Sequence, residues 1–460
     1  MSSAWRRDAG RIGGLAWPVF IGQVSVVAFA TVDTVLVGRH AALDLAALAV
    51  GGAAYITVFI GLMGVVLALG PIVGRLQGAG RTAEAGAALH QAVWLALSLS
   101  VLGSTLLMFP EPFVALADAA PEVEQRMRGY LGALALALPA SLLFAAYRGF
   151  NNALARPKAV MALQVGGLAL KIPLSTALVF GVPGLGLPAL GVQGCGIATA
   201  IVMWLQLLVA VWVLRRDPFY APYGLFGRGL DRPARAGLAA QLRLGLPMGA
   251  SIFIEVSGFS LMAIFISRLG AVPVAGHQIA VNLVSLLFMM PLALGSATTT
   301  LVAQRIGAQD IDDARALGSH GLQLALWLSA ALGSVVYFAR EGVVGLYTRD
   351  AAVVAAALPL LAWVAVFHVA DAAQVVASFV LRAWHVATLP MLIFACSLWG
   401  VGLGGGYLLA FDVLGGTPAA LQGARGYWVA ATSGLVLAAL ALSALLAWVQ
   451  RSARAASGVV

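Results

Sequence analysis

The chain has 460 residues, of which 61% are hydrophobic and only 10% are charged, and its mean hydropathy is +0.96. Soluble proteins carry about a quarter charged residues, so this composition excludes a water-soluble globular protein. The net charge of +9 does not indicate nucleic-acid binding, because the arginines fall between apolar segments, as membrane topology requires. The lone cysteines Cys195 and Cys396 form neither a disulfide framework nor a metal motif.

Apolar segments long enough to span a bilayer, about 20 residues each, follow one another along the whole chain. We predict twelve spanning helices, at residues 13–38, 45–73, 91–110, 127–147, 159–180, 190–214, 240–267, 275–303, 317–339, 352–378, 388–411 and 426–450. The fold class is therefore an all-α integral membrane protein. An even number of spans places both termini on one side, and the connections on that side hold most of the 27 Arg and Lys residues. This bias predicts a cell (inner) membrane protein with both termini in the cytoplasm.

The two halves of the chain repeat one another at an offset of 229 residues. This shift lays Pro18 on Pro247 and Arg39 on Arg268. We predict an N-lobe of six helices at 1–214, a cytoplasmic linker at 215–239 and a C-lobe of six helices at 240–460. Because six is even, both lobes enter the membrane in the same sense, so their pseudo-symmetry axis runs along the membrane normal. This is the architecture of a transporter.

Three carboxylates, Asp33, Glu255 and Asp371, lie inside predicted spans, where a charge costs several kcal/mol or more. Such residues mark ion paths, unless neighbouring polar groups satisfy them structurally. Glu255 is the repeat equivalent of Val26, two helical turns before Asp33, so the first and seventh helices are each predicted to aim one acid at a shared cavity. Buried carboxylates can take up a proton, bind Na⁺ with neighbouring oxygens, or attract an organic cation.

One cation and two histidines also lie within spans. Lys171 is about twelve residues into the fifth helix, too deep to reach the interface easily. We hypothesise that it pairs with Asp33; snorkelling beside Pro173 is the alternative. His277 and His368 could relay protons, or serve as hydrogen-bonded structural residues.

Several motifs resemble the multidrug and toxic compound extrusion (MATE) family, and most closely its NorM branch. They are Leu-Ala-Trp-Pro-Val at 15–19, Val-Asp-Thr-Val-Leu-Val-Gly-Arg at 32–39, Gln-Gly-Ala-Gly-Arg at 77–81, Ala-Gly-His-Gln-Ile-Ala-Val-Asn at 275–282 and Ala-Asp-Ala-Ala-Gln-Val-Val-Ala-Ser at 370–378. The resemblance implies two pseudo-symmetric six-helix lobes that export organic cations by alternating access, driven by inward Na⁺ or H⁺. It also implies that Glu255 and Asp371 bind the cation, as metal ligands if Na⁺ is used. Asp33 is then the proton- or substrate-coupling acid of the first lobe.

We also predict supporting residues for ion or drug binding, at Lys171, Gln278, Asn282, Phe288, Phe367, Gln374 and Asp350. Of these, the resemblance implies drug contacts for Phe288 and Asp350. Phe367 stands where some relatives have a tyrosine, and Lys171 where a neutral residue is expected, which leaves the coupling ion open between Na⁺ and H⁺. The expected partners are organic cations, cationic or zwitterionic drugs and the lipid bilayer, with no nucleic acid, no cofactor besides the coupling ion, and a monomeric state.

Other functions are less consistent with the sequence. A flippase for lipid-linked saccharides or lipids, in the same superfamily, is the main alternative, but it requires a cavity rich in Arg and Lys to bind pyrophosphate, and only Lys171 is deep in a span. A channel is disfavoured by the duplicated, Pro- and Gly-interrupted halves. A membrane enzyme is disfavoured because no metal motif, nucleophile constellation or phosphate loop occurs.

Overall fold

The computed structural model describes residues 3–117, 120–227 and 229–457, so position 228 of the predicted linker lies outside them. In these residues, 12 helices are long and apolar enough to cross a membrane. We number them α1 (Ser3–His40), α2 (Ala42–Gly78), α3 (Thr82–Met108), α4 (Pro121–Ala153), α5 (Pro157–Phe180), α6 (Gly191–Arg216), α7 (Arg235–Ser267), α8 (Ala271–Gly307), α9 (Ile311–Tyr347), α10 (Ala351–Ala383), α11 (Thr388–Ala410) and α12 (Gly423–Ala455). The predicted all-α fold with twelve spans is confirmed.

Most helices extend beyond their predicted ends. α1 begins at Ser3 instead of residue 13, and α9 runs through Ile311–Tyr347 instead of 317–339. Hydropathy detects only the apolar stretch inside the bilayer, whereas a helix continues for as long as its backbone hydrogen bonds can be made. Two spans are irregular: α2 consists of the pieces Ala42–Val66 and Leu69–Gly78, and α11 widens into a π-helical stretch over Ala395–Gly404.

The helices form two compact units. The first contains Ile21–Gly249, and its most enclosed element is α4, which packs against α2, α3 and α6. Met127, Leu131, Leu134 and Leu138 recur every three or four residues on α4 and are fully buried. This spacing places them on one helical face, which forms the centre of the unit.

The second unit contains the residues up to Phe20 and those from Ala250 onward. Its central element is α10, which packs against α8, α9 and α12. Small side chains along α10, including Ala370, Ala372 and Ala377, are almost fully buried. Small residues let neighbouring membrane helices approach closely. The close packing of these alanines therefore fixes the position of the polar residues that lie between them on α10.

The boundaries of these units differ from the predicted lobes in two places. The beginning of α1 belongs to the second unit, where Ile12 packs in its core and Asp8 lies 2.8 Å from the Nδ1 of His320. The beginning of α7 belongs to the first unit, where Gln241 donates a 2.8 Å hydrogen bond to the Ala88 carbonyl. Both helices therefore cross from one unit to the other.

The two crossings occur at matched positions of the repeat. The units divide after Phe20 in α1 and after Gly249 in α7, in each case two residues beyond a proline within the helix. These prolines, Pro18 and Pro247, are the pair that the sequence repeat aligns. Proline removes one backbone hydrogen bond inside a helix and bends it, so each crossing lies at a weakened turn.

The segment between α6 and α7 is bound to the first unit instead of forming a free tether. Asp217 lies 2.6 Å from the guanidinium of Arg156, and the Tyr220 hydroxyl donates to Asn151 at 2.5 Å. A backbone hydrogen bond from Phe219, together with Arg156, holds the pKa of Asp217 below its usual range. Further along, Asp231 lies 2.9 Å from His90 on α3.

Candidate functional site

Two of the predicted acids meet in the second unit. Glu255 lies on α7 and Asp371 on α10, and Gln374 follows one turn after Asp371. The side-chain nitrogen of Gln374 donates to Glu255 Oε1 and to Asp371 Oδ1, both at 3.1 Å. Asp371 and Gln374 are buried, with 3% and 1% of their surface exposed. The structure therefore brings three predicted site residues into one hydrogen-bonded cluster.

The cluster keeps oxygen atoms available for a ligand. Among the described residues, Asp371 Oδ2 and Gln374 Oε1 are buried without a hydrogen-bond partner. Buried polar atoms are nearly always paired in native structures, so two such oxygens beside a second carboxylate are suited to a cation. Two neighbouring carboxylates also repel each other, and a bound H⁺ or Na⁺ relieves that repulsion.

A cavity of about 40 Å³ adjoins the acids and is lined by Glu255, Asp371 and several apolar side chains. This is room for an ion with one or two water molecules. Phe259 and Phe367 line the same cavity, with their ring centroids 5.8 Å apart in an edge-to-face arrangement. Phe367 itself is 3% exposed, and its predicted role beside a bound cation stays a prediction. The site thus combines carboxylates with aromatic surface, two features that attract organic cations.

Arg382 is a neighbour of this site that the sequence analysis missed. The predicted spans leave it in the connection between 352–378 and 388–411, but it lies within α10 and is 7% exposed. Its guanidinium stacks over the Phe379 ring at 4.1 Å and interacts electrostatically with Glu255. Its position within the Ala-Ser-Phe-Val-Leu-Arg continuation of the helix was the signal that could have revealed it.

The remaining second-unit residues are not in the acidic cluster. Gln278 and Asn282 are exposed on α8, where the Gln278 amide donates to Asn282 at 3.4 Å, and Phe288 is partly buried on the same helix. Asp350 caps the start of α10, accepting from the Ala352 backbone nitrogen at 2.8 Å. Roles for these four residues in drug binding stay predictions.

The two histidines are buried, and the Nε2 atom of each has no hydrogen-bond partner among the described residues. The Nδ1 of His277 accepts a 3.2 Å hydrogen bond from the Trp428 indole, and the two rings meet edge to face. His368 is 2% exposed. Neither residue lines the cavity beside Glu255 and Asp371. A proton-relay role stays a prediction.

The third acid is in the first unit, and its predicted ion pair is confirmed. Lys171 Nζ on α5 lies 2.8 Å from Asp33 Oδ1 on α1, and Lys171 is completely buried. The ammonium also donates to the Thr199 hydroxyl at 2.6 Å and lies 5.4 Å from the centre of the Phe29 ring. The Cys195 thiol is a further neighbour of Asp33. Thr199, Phe29 and Cys195 were not recognised as part of this site.

No group of three or more His, Cys, Asp or Glu side chains suited to a metal ion lies in the part of the chain that the structure describes. A Na⁺ site would therefore combine the two carboxylates with neutral oxygens such as Gln374 Oε1, as hard cations accept. Because Asp33 and Glu255 belong to different units, their predicted approach to one shared cavity stays a prediction.

Twelve spans with buried acids in both units define a polytopic membrane transporter. The sequence matches the MatE family model over residues 18–176 and 247–408, two stretches whose starts are separated by the 229-residue offset of the repeat. The chain is 42% identical to "Probable multidrug resistance protein NorM" of Aromatoleum aromaticum, over 96% of this chain and 95% of that protein. It is 37% identical to "Multidrug resistance protein PmpM" of Pseudomonas aeruginosa, over 96% and 91% of the two chains.

The fold agrees with these matches. The crystal structure of the Vibrio cholerae MATE transporter VcmN in the bent form superposes with a TM-score of 0.86, covering 98% of this chain and 99% of that one at 18% identity. The chain belongs to the MatE family, and it is a multi-pass membrane transporter and not an enzyme.

Proposed function

We propose that the protein is an antiporter that exports organic cations, including cationic and zwitterionic drugs, in exchange for inward Na⁺ or H⁺. The observation that carries this proposal is the sharing of one Gln374 amide between Glu255 and Asp371, beside a cavity lined by aromatic rings. The similar proteins named for multidrug resistance support drugs as the exported class.

The exchange follows from competition for the same negative charge. A cation that enters along the membrane potential gains about 2.3 kcal/mol per charge per 100 mV, and its binding to the Glu255–Asp371 pair displaces a positively charged drug. The drug leaves only if the protein populates two states that differ in affinity for it. Asp33 is the buried acid of the first unit. In this proposal, the exchange of the cation paired with Asp33 is coupled to the exchange at Glu255 and Asp371.

The polarity of the second-unit cavity favours this function over a lipid-linked saccharide flippase. Its charged lining consists of Glu255 and Asp371, whereas a pyrophosphate group requires Arg or Lys donors. We further propose that the protein works as a monomer in the cell membrane with both termini in the cytoplasm, because the Arg-rich connections between spans fall on the side of the termini.

The test is drug efflux from proteoliposomes under separately imposed Na⁺ and H⁺ gradients. Glu255→Gln, Asp371→Asn and Asp33→Asn should each lower gradient-driven efflux by about tenfold or more, since each removes a charged group from a binding site. Glu341→Gln is the matched control, because Glu341 is an exposed acid on α9 outside both clusters. Retention of efflux by all three variants, or efflux that neither gradient drives, would contradict the antiporter.

A further inference from the structure

The groups around Lys171 Nζ have the chemistry of a binding site for an ammonium ion. Within 2.8 Å are a carboxylate oxygen of Asp33 and the Thr199 hydroxyl, and the face of Phe29 lies 5.4 Å away. A carboxylate and a hydroxyl accept hydrogen bonds from an ammonium, and an aromatic face attracts its charge. The protein therefore fills this site with its own lysine.

We infer that Lys171 is a tethered competitor of substrate: it occupies, at Asp33, the position that the ammonium group of an exported drug takes during transport. This inference rests on the proposed export of organic cations and deepens it. It adds a second, intramolecular cation to the cycle. Asp33 then exchanges partners between Lys171 and the substrate, and the released lysine supplies a repulsion that helps to expel the drug.

The exposure of the two partners supports an exchange at the carboxylate. Lys171 is completely buried, whereas the Asp33 side chain keeps 11% of its surface exposed. A ligand can therefore approach Asp33 without first removing the lysine from the helix interior. Breaking a buried ion pair by removing one partner is strongly unfavourable, so the lysine leaves Asp33 only when another cation replaces it.

The same geometry defines the class of substrate that this site prefers. Lys171 Nζ forms an ion pair with Asp33 Oδ1 at 2.8 Å and donates a hydrogen bond to the Thr199 hydroxyl at 2.6 Å. A primary or secondary ammonium can reproduce both the ion pair and the hydrogen bond to Thr199, whereas a quaternary ammonium has no N–H and satisfies only the charge. Competition with Lys171 should therefore favour drugs that carry a protonated amine over quaternary cations.

The first experiment tests the ammonium site without transport. Lys171→Ala removes three methylene groups and the ammonium, a gap that n-propylammonium matches. The purified variant should show a melting temperature that rises with n-propylammonium and not with the quaternary tetramethylammonium, whereas wild type should not respond. Lys171→Ala/Asp33→Asn is the matched control and should lose the response. The ammonium site would be overturned if n-propylammonium did not raise the melting temperature of well-folded Lys171→Ala, or raised that of the double variant equally.

The second experiment tests the competition between Lys171 and the drug. It uses Lys171→Met, which keeps the side-chain volume and can therefore be measured even if Lys171→Ala does not fold. An amine drug should bind Lys171→Met about tenfold or more tightly than wild type, because the competing cation is gone. The affinity for a quaternary drug should increase less, and the double variant Asp33→Asn/Lys171→Met should not bind the amine drug more tightly than wild type. Unchanged or weaker amine binding by Lys171→Met would refute the competitor role.

These results are separable from the proposed function. If neither ion gradient drives efflux in wild type, the antiporter fails, whereas the melting and binding measurements still decide whether Lys171 fills an ammonium site. Conversely, wild-type efflux that depends on Glu255 and Asp371, combined with no effect of Lys171→Met on amine binding, retains the antiporter and rejects the tethered competitor.

Discussion

Replacing Gln374 by leucine tests the second-unit site and also reveals its coupling ion. The substitution removes both hydrogen bonds to Glu255 and Asp371 and deletes Oε1, which is buried without a partner. A hydrogen bond to a charged group contributes about 1 kcal/mol more than one to a neutral group. One proton neutralises one of the two acids, so the substitution disfavours the ion-free, charged form of the site by about 1 kcal/mol relative to its singly protonated form, a factor of about 5.

Whether Gln374→Leu raises or lowers the half-saturating ion concentration depends on which ion drives efflux. If H⁺ drives efflux, the half-saturating proton concentration should fall about fivefold, and turnover should drop because the proton is released less readily. If Na⁺ drives efflux, the half-saturating Na⁺ concentration should instead rise about 10- to 100-fold, since the loss of an oxygen ligand outweighs the donors.

The assay is initial drug efflux from proteoliposomes as a function of internal and external pH at fixed Na⁺, and of Na⁺ at fixed pH. Gln206→Leu is the matched control: Gln206 is a buried glutamine of α6 whose amide donates only to the Leu163 carbonyl, at 2.8 Å. It should lower stability without moving either ion dependence. If Gln374→Leu leaves both dependences at their wild-type positions, the shared amide does not position an ion site.

Three further substitutions test the wall of the cavity and the segment after α6. Phe367→Tyr adds a hydroxyl to the wall of the cavity, so the apparent Na⁺ affinity in a ²²Na⁺ binding assay should rise several-fold; an unchanged affinity would show that the ring edge does not face the ion. Asp217→Asn should loosen the segment after α6 at neutral pH, seen as faster hydrogen exchange at residues 217–223 by mass spectrometry. Because the folded-state pKa of Asp217 is lowered, its stabilisation is present above about pH 4 and is lost as the pH falls through that lowered pKa, so variant and wild type should converge in acid. Arg156→Gln should reproduce the effect, and a persistent difference in acid would argue against the ion pair.

The membrane fold was predictable because the bilayer imposes it. The thickness of the hydrocarbon core fixes the length of each span, and all twelve predicted segments correspond to a helix. The pairing of Lys171 with Asp33 was predictable for a related reason. An isolated charge is costly deep in a span, so an opposite charge is expected to approach it, and these two residues form the pair.

Contacts between distant segments were not predictable in the same way. Thr199 and Phe29 surround Lys171 because of how α1, α5 and α6 pack, and neither residue has a distinctive local pattern. For Asp350, the role that the structure shows was predictable from the sequence but was not predicted. An aspartate immediately before an apolar helix is a common N-cap, so its capping role was readable from the sequence, although the family resemblance directed attention to drug binding.

The crossing of α1 and α7 between the units has a consequence for biogenesis. Residues up to Phe20 leave the ribosome before α2 to α12, yet their packing partners in the second unit begin at Ala250. Until that later half is synthesised, the leading half of α1 lacks its packing partners in the second unit. Two halves severed within the connection between α6 and α7 would each lack a half-helix of their own core. Their assembly would require exchange of these half-helices, as in a domain-swapped pair.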